Sequence, residues 1–336
     1  MATRISQSTI RLEKPPAFIN HASVVGKKEG EGPLGQEFDV VNQDTTFGEK
    51  TWEKAESRLQ TDSVNKLLEK ENLAPSGVDV MFAGDLLNQC ISSTYGLREL
   101  DIPFLGLFGA CSTMAEGIIS ASLFVDGGLA NRAVAVTSSH FCTAERQFRL
   151  PLEYGGQRTP TSQWTVTGSG AVLIGCDENK PKIRTVTIGK ITDLGITDAN
   201  NMGAAMAPAA CSTIKTYFDD TKELLENFDA IVTGDLGLVG SRLLCELLDR
   251  EGLDIKDKHL DCGKLIYDLD TQDVHAGASG CGCCATVLCA HFLPMLERGE
   301  YKRILFCATG ALMSPTSVQQ GESIPGICHL VEITAN

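Results

Sequence analysis

The sequence predicts an α/β protein built as a duplicated fold: two pseudo-symmetric βαβαβ-type halves with mixed sheets around buried helices. Three observations carry this. Segments 78–86 and 228–236 resemble each other at an offset of 150 residues, with Asp79, Gly84, Asp85 and Leu86 recurring as Asp229, Gly234, Asp235 and Leu236. Segments 128–136 and 299–307 resemble each other at an offset of 171, sharing Gly128/Gly299 and Arg132/Arg303. Helical and strand patterns also alternate in the same order in both halves, as a helix-covered mixed sheet requires.

The elements follow in order. A helical pattern over 51–72 precedes the apolar run Val80-Met81-Phe82-Ala83, a short buried strand ending in Gly84-Asp85. Leu105-Gly106-Leu107-Phe108-Gly109-Ala110-Cys111 then runs from a strand into a helix over 112–125. Strands over 133–139 and 168–176 close the first half. The second half repeats this with a helix over 201–225, a strand ending in Gly234-Asp235, a helix over 283–297, and strands beginning near Arg303 and Gly326. Division near residue 180 gives two halves, 1–180, which carries the Cys111 elbow, and 181–336. The helix over 112–125 carries one charge, Glu116, and the helix over 283–296 carries none unless His291 is protonated. Helices without a polar face belong in an interior, and their Ala, Gly, Cys and Ser allow close approach.

Composition narrows the partners. Among 336 residues, 29 Lys and Arg stand against 43 Asp and Glu, a net charge of −14, which argues against nucleic acid. A hydrophobic content of 43% excludes whole-chain disorder. The 13 cysteines sit in apolar runs such as Val287-Leu288-Cys289-Ala290, where Cys acts as a small hydrophobe. This points to a reduced, intracellular setting without a disulfide framework. The longest apolar stretch, 276–294, is rich in Gly and Cys and contains His291, so no transmembrane segment is expected.

Several residues are candidates for chemistry. Cys111 falls at a helix start, where the dipole and free N–H groups favour a thiolate; the bland alternative is a space-filling Cys. His140, at a strand end, and His275, in a Gly-rich turn, are candidate bases for it, or simply hydrogen-bonded structural histidines. Asp85 and Asp235 end equivalent strands and suit helix capping; Asp85 with Asn88 is also a candidate pair at a strand-end site. Arg146 and Arg149 are candidate carboxylate clamps, or a solvated loop pair. Cys281-Gly282-Cys283-Cys284 contains one Cys-x-x-Cys, with no second pair at zinc spacing, so no metal site is expected.

Taken together, the repeat, the Cys111 elbow and the stretches 83–89, 107–113, 137–140, 143–149, 153–157, 166–172, 193–198, 206–210, 233–236 and 323–326 resemble the thiolase and β-ketoacyl-synthase superfamily, and within it a sporulation family. The resemblance implies a thiolase-like duplicated fold. It implies a soluble subunit, peripheral to the forespore inner membrane, of a system that moves dipicolinic acid with calcium into developing spores. The implied partners are dipicolinic acid or its calcium chelate and the membrane subunits of that system. No cofactor is implied. The expected ligand-binding set is Asp85, Asn88, Cys111, His140, Arg146, Arg149 and His275. A homodimer is implied through the first-half strand containing Ala133–Val136. A condensing enzyme needs two second-half partners for its Cys, and Asp235 stands where a synthase has a strand-end His. Binding is therefore expected rather than Claisen chemistry, with a Cys111-dependent acyltransferase as the alternative.

Overall fold

The computed structural model describes residues 2–148 and 158–336. Its first half runs β1 (Ala17–Val25), α1 (Trp52–Glu71), β2 (Val80–Gly84), α2 (Ile91–Leu97), β3 (Phe104–Gly106), α3 (Thr113–Asp126), β4 (Arg132–Ser139), α4 (Phe141–Phe148) and β5 (Gly168–Gly175). The second half runs β6 (Lys182–Thr187), α5 (Met202–Thr221), β7 (Ala230–Thr233), α6 (Gly237–Arg250), β8 (His259–Asp261), α7 (Cys281–Val287), β9 (Arg303–Ala311) and β10 (Gly326–Thr334). After α7 the chain continues through a π turn into Leu293–Glu297.

Local chemistry sets the helix limits. The Thr51 side chain accepts from Lys54 N at the start of α1, and Asn72, with φ near 49°, ends it in the left-handed conformation that Asn tolerates. Ala55, Leu59, Val64, Leu67 and Leu68 form the buried stripe of α1, which covers β1, β4 and β5. Helix α5 covers β9 and β10 in the same way.

The strands pair in the order β8-β7-β9-β10-β6-β1-β5-β4-β2-β3. Outward from the β6–β1 junction, both halves show two antiparallel pairings followed by two parallel ones. Val80 pairs with Ala133 and Ala230 with Ile304, so the ladder keeps both sequence offsets. The late strands differ from the glycine-to-glycine alignment by one position. Ser139 faces Gly168, whereas its counterpart Gly310 faces Ile327. At the junction, Lys182 pairs with Ala17.

Between the halves lie the two apolar helices. Helix α3 packs on β2, β4 and β5 and also on β9 and β10; α7 packs on β1, β4, β5 and α3. Met114, Ala115, Ile118, Ala285, Val287 and Leu288 are fully buried there. One expectation needs correction. The strand containing Ala133–Val136 is β4, enclosed between β5 and β2, so it offers no free edge. The open edge on that side is β3, whose three residues are exposed.

Candidate functional site

Strand β3 leads into the elbow that presents Cys111. Ala110 adopts a positive φ of 49°, reversing the chain before α3. Ser112 Oγ donates to Gly109 O (2.7 Å), and Thr113 Oγ1 donates to Ala110 O (2.6 Å), fixing the turn from inside. Cys111 lies two residues before the first helical residue and is 5% exposed. Above it opens a narrow, mostly apolar cleft lined by Leu86, Phe108, Phe148, Met202 and Met313, among others, with Thr165 and Ser279 supplying hydroxyls. None of its described lining residues is charged.

The partner of Cys111 is Asp235, which follows β7. The Asp235 carboxylate lies close enough to the thiol to act on it electrostatically. Asp235 Oδ1 accepts from Thr309 Oγ1 (2.8 Å), and Oδ2 accepts from Gly280 N–H (3.0 Å). Gly280 has φ +106°, and a Cβ there would meet Ser139 Oγ at 2.6 Å, so only glycine brings this N–H to the site without strain. Burial raises Asp235 to about 7, against the neighbouring thiol and the hydrogen bonds from Gly280 and Thr309. Behind it Asp261 accepts from Leu236 and Gly237 N–H (both 2.9 Å), holding the start of α6; burial raises it to about 6.

This corrects the expected thiolate. Burial, then the adjacent Asp235 carboxylate, push the Cys111 thiol well above its ordinary value. Both penalties outweigh the helix-end field.

The other expected residues do not converge on the cleft. Asp85 is consumed by its own loop: it accepts from Leu87 N (2.9 Å), Ser93 N (2.8 Å) and Ser93 Oγ (2.6 Å). His140 is buried and turned toward Thr45, whose carbonyl lies 2.8 Å from Nε2. Its Nδ1 accepts from Cys142 N–H (3.1 Å), so Nε2 carries the proton and donates to Thr45. Burial lowers its pKa, and its ring packs on Trp52 and Phe47. His140 is thus a neutral structural histidine, neither a base for Cys111 nor a cationic donor. His275 is partly exposed and 3.6 Å from Asp273, outside the cleft lining. Arg146 pairs with Glu53 in a separate side groove that also contains Asn88 and Gln147. Asn88 N–H donates to Gln147 Oε1 there (3.1 Å). Arg149 lies outside the described residues. Cys281, Cys283 and Cys284 diverge, with their thiols directed at the carbonyls of Ser138, Gly234 and Cys111 respectively.

Sequence reasoning placed Cys111 in a site and gave Asp235 only a capping role. Asp235 and Asp85 are equivalent in the repeat, but Asp85 is held by its own loop, and it is Asp235 that acts on Cys111. Its signal was its position where a synthase has a histidine. Thr309 carried no signal, because an isolated Thr after an apolar strand is common.

A duplicated sheet, two helices between its halves and a cysteine elbow at their meeting define a thiolase-like protein. Solved structures agree on the fold. 3-Oxoacyl-[acyl-carrier-protein] synthase III from Aquifex aeolicus VF5 has a TM-score of 0.59 and 13% identity, covering 95% of this chain and 99% of that one. Cerulenin-bound OleA from Xanthomonas campestris gives 0.60 and 13%, covering 95% and 98%. More specifically, residues 6–334 match the family described as Stage V sporulation protein AD, and the chain belongs to that family. It is 50% identical over 315 residues to Stage V sporulation protein AD of Bacillus subtilis (strain 168), covering 94% of this chain and 93% of that protein.

Proposed function

We propose that this sporulation-family protein is a non-catalytic binding subunit that holds dipicolinic acid, alone or as its calcium chelate, in the cleft over Cys111. One observation carries the reading: the cysteine that would be the nucleophile is buried beside a buried carboxylate. A condensing enzyme needs a thiolate and a base that returns protons. Here the thiol is held neutral, and Asp235 is already bonded on both oxygens. The apolar lining of Phe108, Phe148, Met202 and Met313 suits an aromatic ring.

Membrane subunits of the same transport system are the proposed partners, with this chain peripheral to the forespore membrane. Among the described residues, no helix is long and apolar enough to cross a membrane. A second copy of the chain is proposed against the open β3 edge, and sedimentation at two protein concentrations tests that.

The central test is paired. Calorimetric titration with dipicolinic acid is expected to give saturable binding, and incubation with acyl-CoA thioesters no mass gain on Cys111. Acylation of Cys111 with turnover, abolished in Cys111→Ala, would establish the acyltransferase reading instead.

A further inference from the structure

A dicarboxylic ligand enters a cleft that already has a carboxylate behind its floor. Asp235 is 1% exposed and does not line the cleft, whereas Cys111, on which it acts, does. The Asp235 oxygens accept from Thr309 and Gly280, and the Cys111 thiol acts on the carboxylate from the cleft side. The titratable groups facing this carboxylate are Cys111 from the elbow, Cys283 and Cys284 from α7, Asp261 and Cys262 from the β8 segment, and Cys328 from β10. Lys264 acts on Asp261, one residue further back. Two carboxylates brought together in a weakly solvated interior do not both stay ionised; one takes a proton.

We propose that Asp235 is a specificity-determining residue that makes binding proton-linked, so that a ligand carboxylate settles over Cys111 with uptake of one proton from solvent. The ligand carboxylate over Cys111 and Asp235 then share a single negative charge, while the ligand's second carboxylate keeps its own, and the cleft selects weak acids over permanently charged anions. This rests on the reading of the cleft as the dipicolinate site. The raised Asp235 pKa agrees, because a carboxyl near 7 takes a proton at little cost around neutrality.

Proton counting tests it on the wild-type protein. Dipicolinic acid is titrated at pH 6 and pH 8.5, each in two buffers of different protonation enthalpy. The expected uptake approaches one proton per site at pH 8.5 and is small at pH 6, where Asp235 is already largely protonated. Affinity is expected to fall toward about tenfold per pH unit above neutrality. Pyridine-2,6-dicarboxamide, a neutral ligand of the same shape, is expected to bind without uptake. In Asp235→Asn, uptake of a proton with dipicolinic acid is expected to disappear. If that variant does not fold, the comparison of the two ligands on the wild-type protein decides alone. Binding of dipicolinic acid at pH 8.5 without proton uptake would overturn the proposal. Equal uptake with the dicarboxamide would also overturn it. No heat with dipicolinic acid at either pH would instead fell the binding reading itself, and this inference with it.

Discussion

Cys111 sits where a helix end ordinarily favours a thiolate, yet its surroundings reverse the sign. Burial and the Asp235 carboxylate both disfavour a second negative charge. Asp235 itself carries a linkage that melting curves can read. Its folded pKa is raised to about 7 from an ordinary value of 3.8. The folded state therefore holds a proton that the unfolded chain releases first. This stabilising contribution is fully present below about pH 4 and is lost as pH rises to about 7, a loss on the order of 3–4 kcal/mol. Asp261, raised to about 6, acts in the same direction. The expected outcome is that Asp235→Asn flattens the fall in Tm between pH 5 and pH 8, measured by thermal melts at both. Arg146 gives the opposite case. Its pair with Glu53 is half exposed and lies in the side groove. Arg146→Ala should cost no more than about 1 kcal/mol in urea denaturation and leave dipicolinate affinity unchanged.

Among the elements, the turn before α7 does the most positioning. Trp164 and Thr165 pair with Ala278 and Ser279, Ala276 O accepts from Leu238 N (2.8 Å), and Gln163 Nε2 reaches both Asp235 O and Ala278 O (2.7 Å each). These bonds tie the loop before β5, the start of α6 and the start of α7 around one N–H, that of Gly280. Gly280→Ala places a Cβ against Ser139 at a φ that L-residues rarely adopt. The expected loss is about 1–3 kcal/mol of stability, read by urea denaturation, with weaker dipicolinate binding. Much of this level was legible in the sequence. Thr51 and Asn72 marked α1, the small-residue runs marked α3 and α7, and the Gly-Asp strand ends marked the repeat. What was not legible depends on packing between distant segments. Which of two equivalent aspartates faces the cysteine is decided by how the halves meet. His140 was placed correctly at a strand end, but the direction of its ring is set by Thr45, nearly a hundred residues earlier.

At the scale of the whole molecule, the division near residue 180 describes a repeat, and we expect it not to yield two independently folding units. Helix α3 belongs to the first half by sequence and packs on β9 and β10 of the second. Fully burying side chains such as Met114 and Ile118 contributes about 1.5–3 kcal/mol each, and part of the surroundings of their helix comes from the other repeat. The fragment 1–180 is therefore expected to aggregate or bind a hydrophobic dye when expressed alone. Co-expression with 181–336 should restore a soluble complex, measurable by size-exclusion chromatography. The same packing has a consequence during synthesis. At about 5–20 residues per second, a ribosome needs roughly 8–30 s to add the second half after the first has emerged. For that interval the inner face of α3 has no partner sheet. The nascent chain is then a client for whatever protects apolar surface in the cell, and slowing translation past residue 180 lengthens that exposure.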